Sequence, residues 1–189
     1  MKTAAAADEA AAIDVLVLAF ASDPVVRWTW RDPSVYLASF PAFARAFGGR
    51  AFAHGSGDYI DGYAGTALWL PPGEHPDGEA LDAVFVRSVP EAIGKDGAAL
   101  MEQMGRYHPR EPHWYLPLIG VDPSCQGKGY GAALMRHALS RCDRDGAPAY
   151  LESTNPRNIT LYERHGFERL GTVQVGTSPP IVPMLRRAR

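Results

Sequence analysis

A mixed α/β domain, a sheet covered by helices, is the fold class this sequence predicts, and three observations carry it. The second half reads strand, helix, strand, helix, strand, strand. A glycine-rich loop joins the first of those strands to an amphipathic helix. The 189 residues, 46% hydrophobic and 21% charged, match one domain with enough apolar material for a core without disulfide or metal staples. The 19 glycines and 16 prolines exceed average usage of about 12% but stay below the range of disorder, so the domain is folded and rich in loops.

In chain order, Asp8 to Ala21 sets Ala12, Val15, Leu16, Ala19 and Phe20 at helical spacing, with acidic residues in the first turn. Asp23-Pro24 ends it, because the residue before a proline is pushed out of the helical region. Ser34 to Phe47 is a second helix, closed by Gly48-Gly49. Arg50 to His54 and Tyr63 to Leu70 read as strands joined by Gly55 to Asp58, the latter ended by Pro71-Pro72-Gly73. Gly78 to Arg106 is helical, interrupted at Pro90 and Gly94. His113 to Val121 is a strand whose Pro117 demands an edge or a bulge. Gly129 to Arg144 is an amphipathic helix, Pro148 to Ser153 a strand, and Asn155 to His165 a short helix capped by Gly166. Phe167 to Val175 and Ile181 to Leu185 close the chain as two antiparallel strands.

Composition removes several classes of function. A net charge of −2 offers no basic field for nucleic acid. Cys125 and Cys142 form no CxxC pair and read as reduced thiols of a cytoplasmic protein. Asp8, Glu9 and Asp14 interrupt the alanine-rich amino terminus before a signal peptide could form, and no apolar run spans a membrane. The histidines are spread without ligand spacing, so no metal is expected. A soluble, unprocessed monomer or homodimer follows.

The chemical centre is the loop from Val121 to Gly131, with Gly127, Gly129 and Gly131 at alternate positions. Glycine lets a backbone turn sharply and approach a ligand, and a helix start offers unpaired N–H groups to a phosphate or pyrophosphate. Lys128 adds a cation. A P-loop needs Ser or Thr after its lysine to hold magnesium; Gly129 stands there. A dinucleotide fingerprint can be drawn as Gly127-x-Gly129-x-x-Ala132 with Glu152 as the ribose acid. Against it, five residues separate the strand from the first glycine, and only 37 residues follow Glu152.

A third reading rests on resemblance. Gln126-x-x-Gly129-x-Gly131, after a strand ending in Val121, resembles motif A of the GNAT superfamily of N-acetyltransferases. The run Asn155 to Phe167 (NPRNITLYERHGF) resembles that superfamily's second signature. Glu111-Pro112, Trp114, Gly120-Val121, Gln126-Gly127-Lys128-Gly129, Pro148-Ala149, Leu151-Glu152 and Pro156-Arg157-Asn158 are similar to the branch containing puromycin N-acetyltransferase. The similarity covers about Glu111 to Phe167 and is faint before it.

The resemblance implies one GNAT domain over 1–189, with an acceptor-side half (1–110) and an acetyl-CoA-binding half (111–189). It implies a twisted, mostly antiparallel sheet with a central splayed parallel pair. Acetyl-CoA would be the donor, its pantetheine arm along Leu118 to Val121 and its pyrophosphate on the N–H groups of Gln126, Gly127, Lys128, Gly129, Tyr130 and Gly131. The backbone N–H of Ile119 or Gly120 is the oxyanion candidate. Tyr162 falls where the family places its general acid, and Asn158 one turn earlier is a cofactor contact. For the general base, His113 comes first, as a group of near-neutral pKa entering the strand. Tyr115 lies where several relatives carry a catalytic glutamate, and it shares a strand face with His113, which allows a relayed water. Glu152 is the further contender. Trp28, Trp30, Tyr36 and Trp69 are candidates to line an acceptor pocket; Lys95, Arg106 and Arg110 read as a solvated face. The acceptor expected is a primary amine of a small molecule, of antibiotic or aminonucleoside type. An oxidoreductase using the same loop, and a non-catalytic acyl-CoA sensor of the same fold, stay open as alternatives.

Overall fold

The computed structural model describes Met1 to Arg189. Fifteen helices and strands follow in order: β1 (Lys2–Thr3), α1 (Glu9–Phe20), α2 (Pro24–Thr29), α3 (Pro33–Gly48), α4 (Arg50–Ala53), β2 (Gly57–Tyr59), β3 (Gly65–Leu70), α5 (Gly78–Ser88), α6 (Glu91–Gly105), β4 (Trp114–Val121), α7 (Tyr130–Arg144), β5 (Ala149–Ser153), α8 (Ile159–Arg164), β6 (Glu168–Arg169) and β7 (Val182–Arg186). The strands form one seven-stranded sheet in the order β1-β2-β3-β4-β5-β7-β6. Every pair is antiparallel except β4 and β5, whose parallel union is bridged by α7.

Each face of the sheet carries its own core. Leu68, Leu70, Leu118 and Tyr150 bury against Leu16 of α1 and Phe40 of α3. Ala67, Trp69, Leu116 and Leu151 bury against Leu134, Met135 and Ala138 of α7. The alternation along β3 is what a strand with both faces covered requires. A fully buried Asp58 on β2 pairs with Arg141 and fastens α7 to the sheet. A third, smaller cluster of Trp28, Leu100, Val173 and Ile181 ties α2 and α6 to the segment before β7.

Several sequence expectations change here. Arg50 to His54 is not a strand: Gly49 keeps helical dihedrals (φ −65°, ψ −24°), so α4 follows α3 directly. The strand pairing with β3 is instead β2, inside the segment read as a loop. Tyr63 lies in a short 3-10 turn before β3, which starts at Gly65. Asp23-Pro24 does end α1, but it also starts α2: the Asp23 side chain accepts from the N–H groups of Val25 and Val26, with proline in the first turn. Pro90 divides α5 from α6, whereas Gly94 lies within α6. Strand β6 is short, and only a Val173–Ile181 bridge continues the pairing expected over Phe167 to Val175.

Pro117 sits in a central strand at a bulge. Tyr115 and Leu118 lie in the same core although three residues apart, and the β3–β4 register slips between Leu68 and Leu70. One residue is therefore extra. On the other side, β4 pairs with β5 only through Trp114, Tyr115 and Leu116, while β4 itself runs on to Val121. The two parallel strands part at Pro117, and Leu118 to Val121 has no partner on the β5 side.

Candidate active site

The parting of β4 from β5 creates a slot, and hydrogen-bond alternation shows which backbone groups face it. The N–H of Asp122 donates to the Ala64 carbonyl at 3.0 Å. Bonded pairs recur at every second residue of an antiparallel ladder, so Gly120 and Leu118 also turn toward β3. Ile119 and Val121 turn toward the slot. Of the two oxyanion candidates, Ile119 is the one whose N–H has this direction. Gly120 serves packing: a Cβ there would lie 2.6 Å from the Ala19 Cβ, so α1 can rest on β4 only over glycine.

The loop after β4 turns in two stages. Asp122 caps a short 3-10 turn (Pro123–Cys125) by accepting from Ser124 N–H at 2.7 Å. Gly127 (φ +78°) and Gly129 (φ +81°) then carry the backbone through left-handed conformations into α7. No side chain caps α7, so the N–H groups of its first turn stay free for an anion, next to the exposed Lys128. Gly131 leaves room for α8, where a Cβ would sit 3.4 Å from Leu161. Gln126 and Tyr130 flank this cradle, the Gln126 amide reaching the Val121 carbonyl at 3.4 Å.

A cavity of about 730 Å³ opens beside the slot, and Leu118, Ile119, Glu152, Asn158 and Tyr162 all line it. Tyr162 is buried on α8, packed edge-on against Phe167, and its hydroxyl has no partner within the protein. Burial, and then the nearby charge of Asp23, push its phenol well above the ordinary tyrosine range. Trp28 and Trp30 line the cavity as well, whereas Tyr36 and Trp69 belong to the cores.

His113 lies outside the cavity wall but is joined to it through two hydrogen bonds and one longer charged contact. Tyr115 donates to one Glu152 oxygen at 2.7 Å, and His108 Nδ1 stands 3.7 Å from the other. His108 Nε2 lies 3.1 Å from His113 Nε2, and His113 Nδ1 lies 2.8 Å from the Glu111 carbonyl. A carbonyl only accepts, so His113 Nδ1 carries the proton and its neutral Nε2 accepts. His108 Nε2–H must then donate, which turns His108 Nδ1 toward a carboxylate. The His108 side chain, 29% exposed, lies between Glu152 and solvent. Desolvation, the largest influence, lowers the pKa of His113 and so favours its neutral form.

Two residues of the site were not singled out by sequence reasoning, His108 beside Glu152 and Asp23 on the cavity wall. His108 has no motif neighbour, being brought to Glu152 only by the fold. Asp23 reads as a helix breaker, yet its carboxylate is 5% exposed, lines the cavity and accepts from Thr154 Oγ1 at 2.7 Å. Burial raises its pKa.

A sheet with one parallel pair, parted beside an uncapped helix start, defines a class of α/β transferases rather than a doubly wound dinucleotide fold. The model of the acetyltransferase (GNAT) family matches residues 28–167, and the chain belongs to that family. It is 31% identical over 127 residues to an uncharacterised N-acetyltransferase of Schizosaccharomyces pombe, covering 57% of this chain and 49% of that protein. It is 34% identical over 89 residues to a mycothiol acetyltransferase of Thermomonospora curvata, covering 46% and 30%. The chain thus spans about half or less of these relatives' length. A crystal structure described as histone acetyltransferase HPA2 and related acetyltransferase, from Corynebacterium glutamicum, superposes with a TM-score of 0.71 at 28% identity, over 99% of this chain and 94% of that one. A mosquito arylalkylamine N-acetyltransferase like 5b shares the fold at a TM-score of 0.60 and 12% identity, over 98% of each chain.

Proposed function

We propose that the protein moves the acetyl group of acetyl-CoA directly to the primary amine of a small molecule. The observation that carries this reading is the open backbone edge Leu118 to Val121, ending in the uncapped start of α7 and facing Tyr162. An extended pantetheine arm can add to that edge as a strand would, its pyrophosphate falling on the cradle of Gln126 to Gly131. Bound there, acetyl-CoA supplies the thioester carbonyl; Asn158 lines the same path.

The residues divide the work as follows. Glu152, with His108 between it and solvent, takes a proton from the acceptor's ammonium. The neutral nitrogen then attacks the carbonyl carbon, whose oxygen draws a hydrogen bond from Ile119 N–H. The C–S bond breaks as the nitrogen loses its second proton, which ends on the departing sulfur, and Tyr162 donates a hydrogen bond to that sulfur as it leaves. A coenzyme thiol near pKa 8.5 is more acidic than a buried phenol, so hydrogen bonding carries most of the stabilisation.

The aminonucleoside branch suggested by Trp114, Leu151-Glu152 and Pro156-Arg157-Asn158 remains a resemblance of motifs; the relatives above include a mycothiol acetyltransferase. The test is Tyr162→Phe, read as thiol release from acetyl-CoA with a panel of amines. Turnover should fall about 100- to 10,000-fold while calorimetric affinity for acetyl-CoA stays unchanged. Wild-type turnover in the variant removes the acid assignment, and a wild-type protein that binds NADH but not acetyl-CoA overturns the whole reading.

A further inference from the structure

The acetyl-transfer reading leaves the acceptor open, and the cavity narrows it. Of the 32 residues lining its walls, 22 are hydrophobic. The space is far larger than an acetyl group needs and of the size that encloses a whole small ligand. Its aromatic side is continuous: Trp30 lies 5.6 Å from Phe43 and 6.4 Å from Phe85, and Phe43 lies 5.1 Å from Phe47, ring centre to ring centre. Faces and edges of this kind suit a ring or an alkyl chain, not an amino sugar or a polyamine.

Helix α6 makes the opposite wall, and its sequence creates the room. Gly94, Gly97, Ala98 and Met101 fall at helical spacings on the face that lines the cavity. A Cβ added at Gly94 or Gly97 would meet nothing within 4 Å. These glycines satisfy no turn and no close approach; inside a helix each costs about 1 kcal/mol relative to alanine. What they provide is empty volume beside an aromatic wall.

Three carboxylates line the cavity: Asp82 on α5 is exposed to solvent, whereas Asp23 and Glu152 are not. Asp23 accepts three hydrogen bonds, from Val25 N–H, Val26 N–H and Thr154 Oγ1, of about four that a carboxylate can take. Thr154 follows directly on the end of β5, the strand that carries Glu152, and both residues line the cavity. Asp23, bound to Thr154, thus lines the same cavity as Glu152. These two carboxylates, Asp23 nearly sealed from solvent, face a mainly apolar space.

We propose that the acceptor is a primary amine carried on an apolar body of ring or medium-chain size. Its ammonium sits at the Asp23–Glu152 end, and its body lies between the Trp30–Phe43–Phe85 wall and α6. Asp23 is a positioning residue here, holding the cation while Glu152 removes the proton. The inference rests on the transfer reading but concerns the acceptor alone.

The test is an amine series with acetyl-CoA: propylamine, hexylamine, phenethylamine, putrescine and glucosamine. The specificity constant kcat/KM should rise about fourfold per buried methylene, with hexylamine and phenethylamine leading. Gly97→Leu fills the cavity from α6. It should raise KM for phenethylamine about tenfold or more, leave acetyl-CoA affinity unchanged and not lower the thermal midpoint. Asp23→Asn keeps the helix cap and should weaken phenethylamine binding to the CoA-loaded protein without weakening that of phenylethanol. Preference for putrescine or glucosamine, or an unaffected Gly97→Leu, overturns the acceptor class while the transfer reading stands. Octanoyl-CoA outperforming acetyl-CoA as donor also overturns it, by making the cavity an acyl pocket. Phenethylamine binding with no turnover of any amine does the reverse: the acceptor class stands and the transfer reading falls.

Discussion

Helices α6 and α7 have the same length, 15 residues, and opposite relations to the rest of the molecule. Helix α7 buries Leu134, Met135, Ala138, Leu139 and Cys142 against the sheet and is fastened further by Arg141 to Asp58. Helix α6 buries Leu100 alone and turns a glycine-containing face to the cavity. The proposed phosphate cradle thus stands on one of the well-packed helices of the domain, and the proposed acceptor wall on one of the least packed. A cofactor with an invariant shape suits the first arrangement. An acceptor that must enter, bind and leave as a product suits the second, since loosely packed elements open at low free-energy cost.

That contrast can be broken or sharpened by experiment. The largest effect falls in α7, where Leu134→Ala should cost about 2–5 kcal/mol in denaturant unfolding, because its 0% exposed side chain cannot be replaced by water or relaxation. Leu100→Ala should lie at or below the bottom of that range, since the small cluster around it can collapse. Equal losses would erase the distinction between the helices. Amide exchange should likewise protect α7 beyond α6.

Next in size is Gly129→Ala. Open space surrounds the position, so only the left-handed backbone resists, at about 1–2 kcal/mol. Affinity for acetyl-CoA, measured by calorimetry, should fall about tenfold. The same substitution at Gly97 has no dihedral to strain.

A smaller effect concerns acid. His113 faces the Glu111 carbonyl, His108, His75 and Glu152, and its folded pKa is lowered, mainly by burial. The unfolded chain therefore binds more protons as pH falls through the ordinary histidine range, and His113 withdraws stability there. Stability should drop between pH 7.5 and 5.5, and His113→Gln should flatten that slope. An unchanged slope would show that His113 is charged in the folded protein. The smallest effect lies on α6: removing Arg106 from its exposed ion pair with Glu102 should change stability by no more than about 0.5 kcal/mol.

The sequence made the strand–helix–strand unit from β4 to β5 legible because hydrophobic period, turn glycines and loop length all agreed there. In the first half the same residue types had a different physical role. Gly48 looks like a helix stop, yet its function is closeness: a Cβ would lie 3.0 Å from Leu68 and 3.4 Å from Pro117, so α3 or Leu68 would have to shift to admit one. Glycine as a left-handed hinge and glycine as a thin spot look identical in one dimension. The site shows the same division. Tyr162 and Asn158 are implied by the family resemblance of the run Asn155 to Phe167, the cradle by its glycine spacing, and Glu152 by the end of a strand. The link between Glu152 and His108 spans 44 positions and exists only in the folded chain.

Pro117 has a consequence for the time at which the slot is made. A proline has no N–H to offer a neighbouring strand, and the bulge around it aims β4 away from β5. The two strands therefore cannot zip together when the donor departs. The ordering that creates the slot is completed once, when the chain folds, and each turnover of the proposed reaction would begin with a groove already shaped. Binding should accordingly show fast association without a preceding rearrangement of the sheet, and any slow step in turnover should trace to the movement of α6.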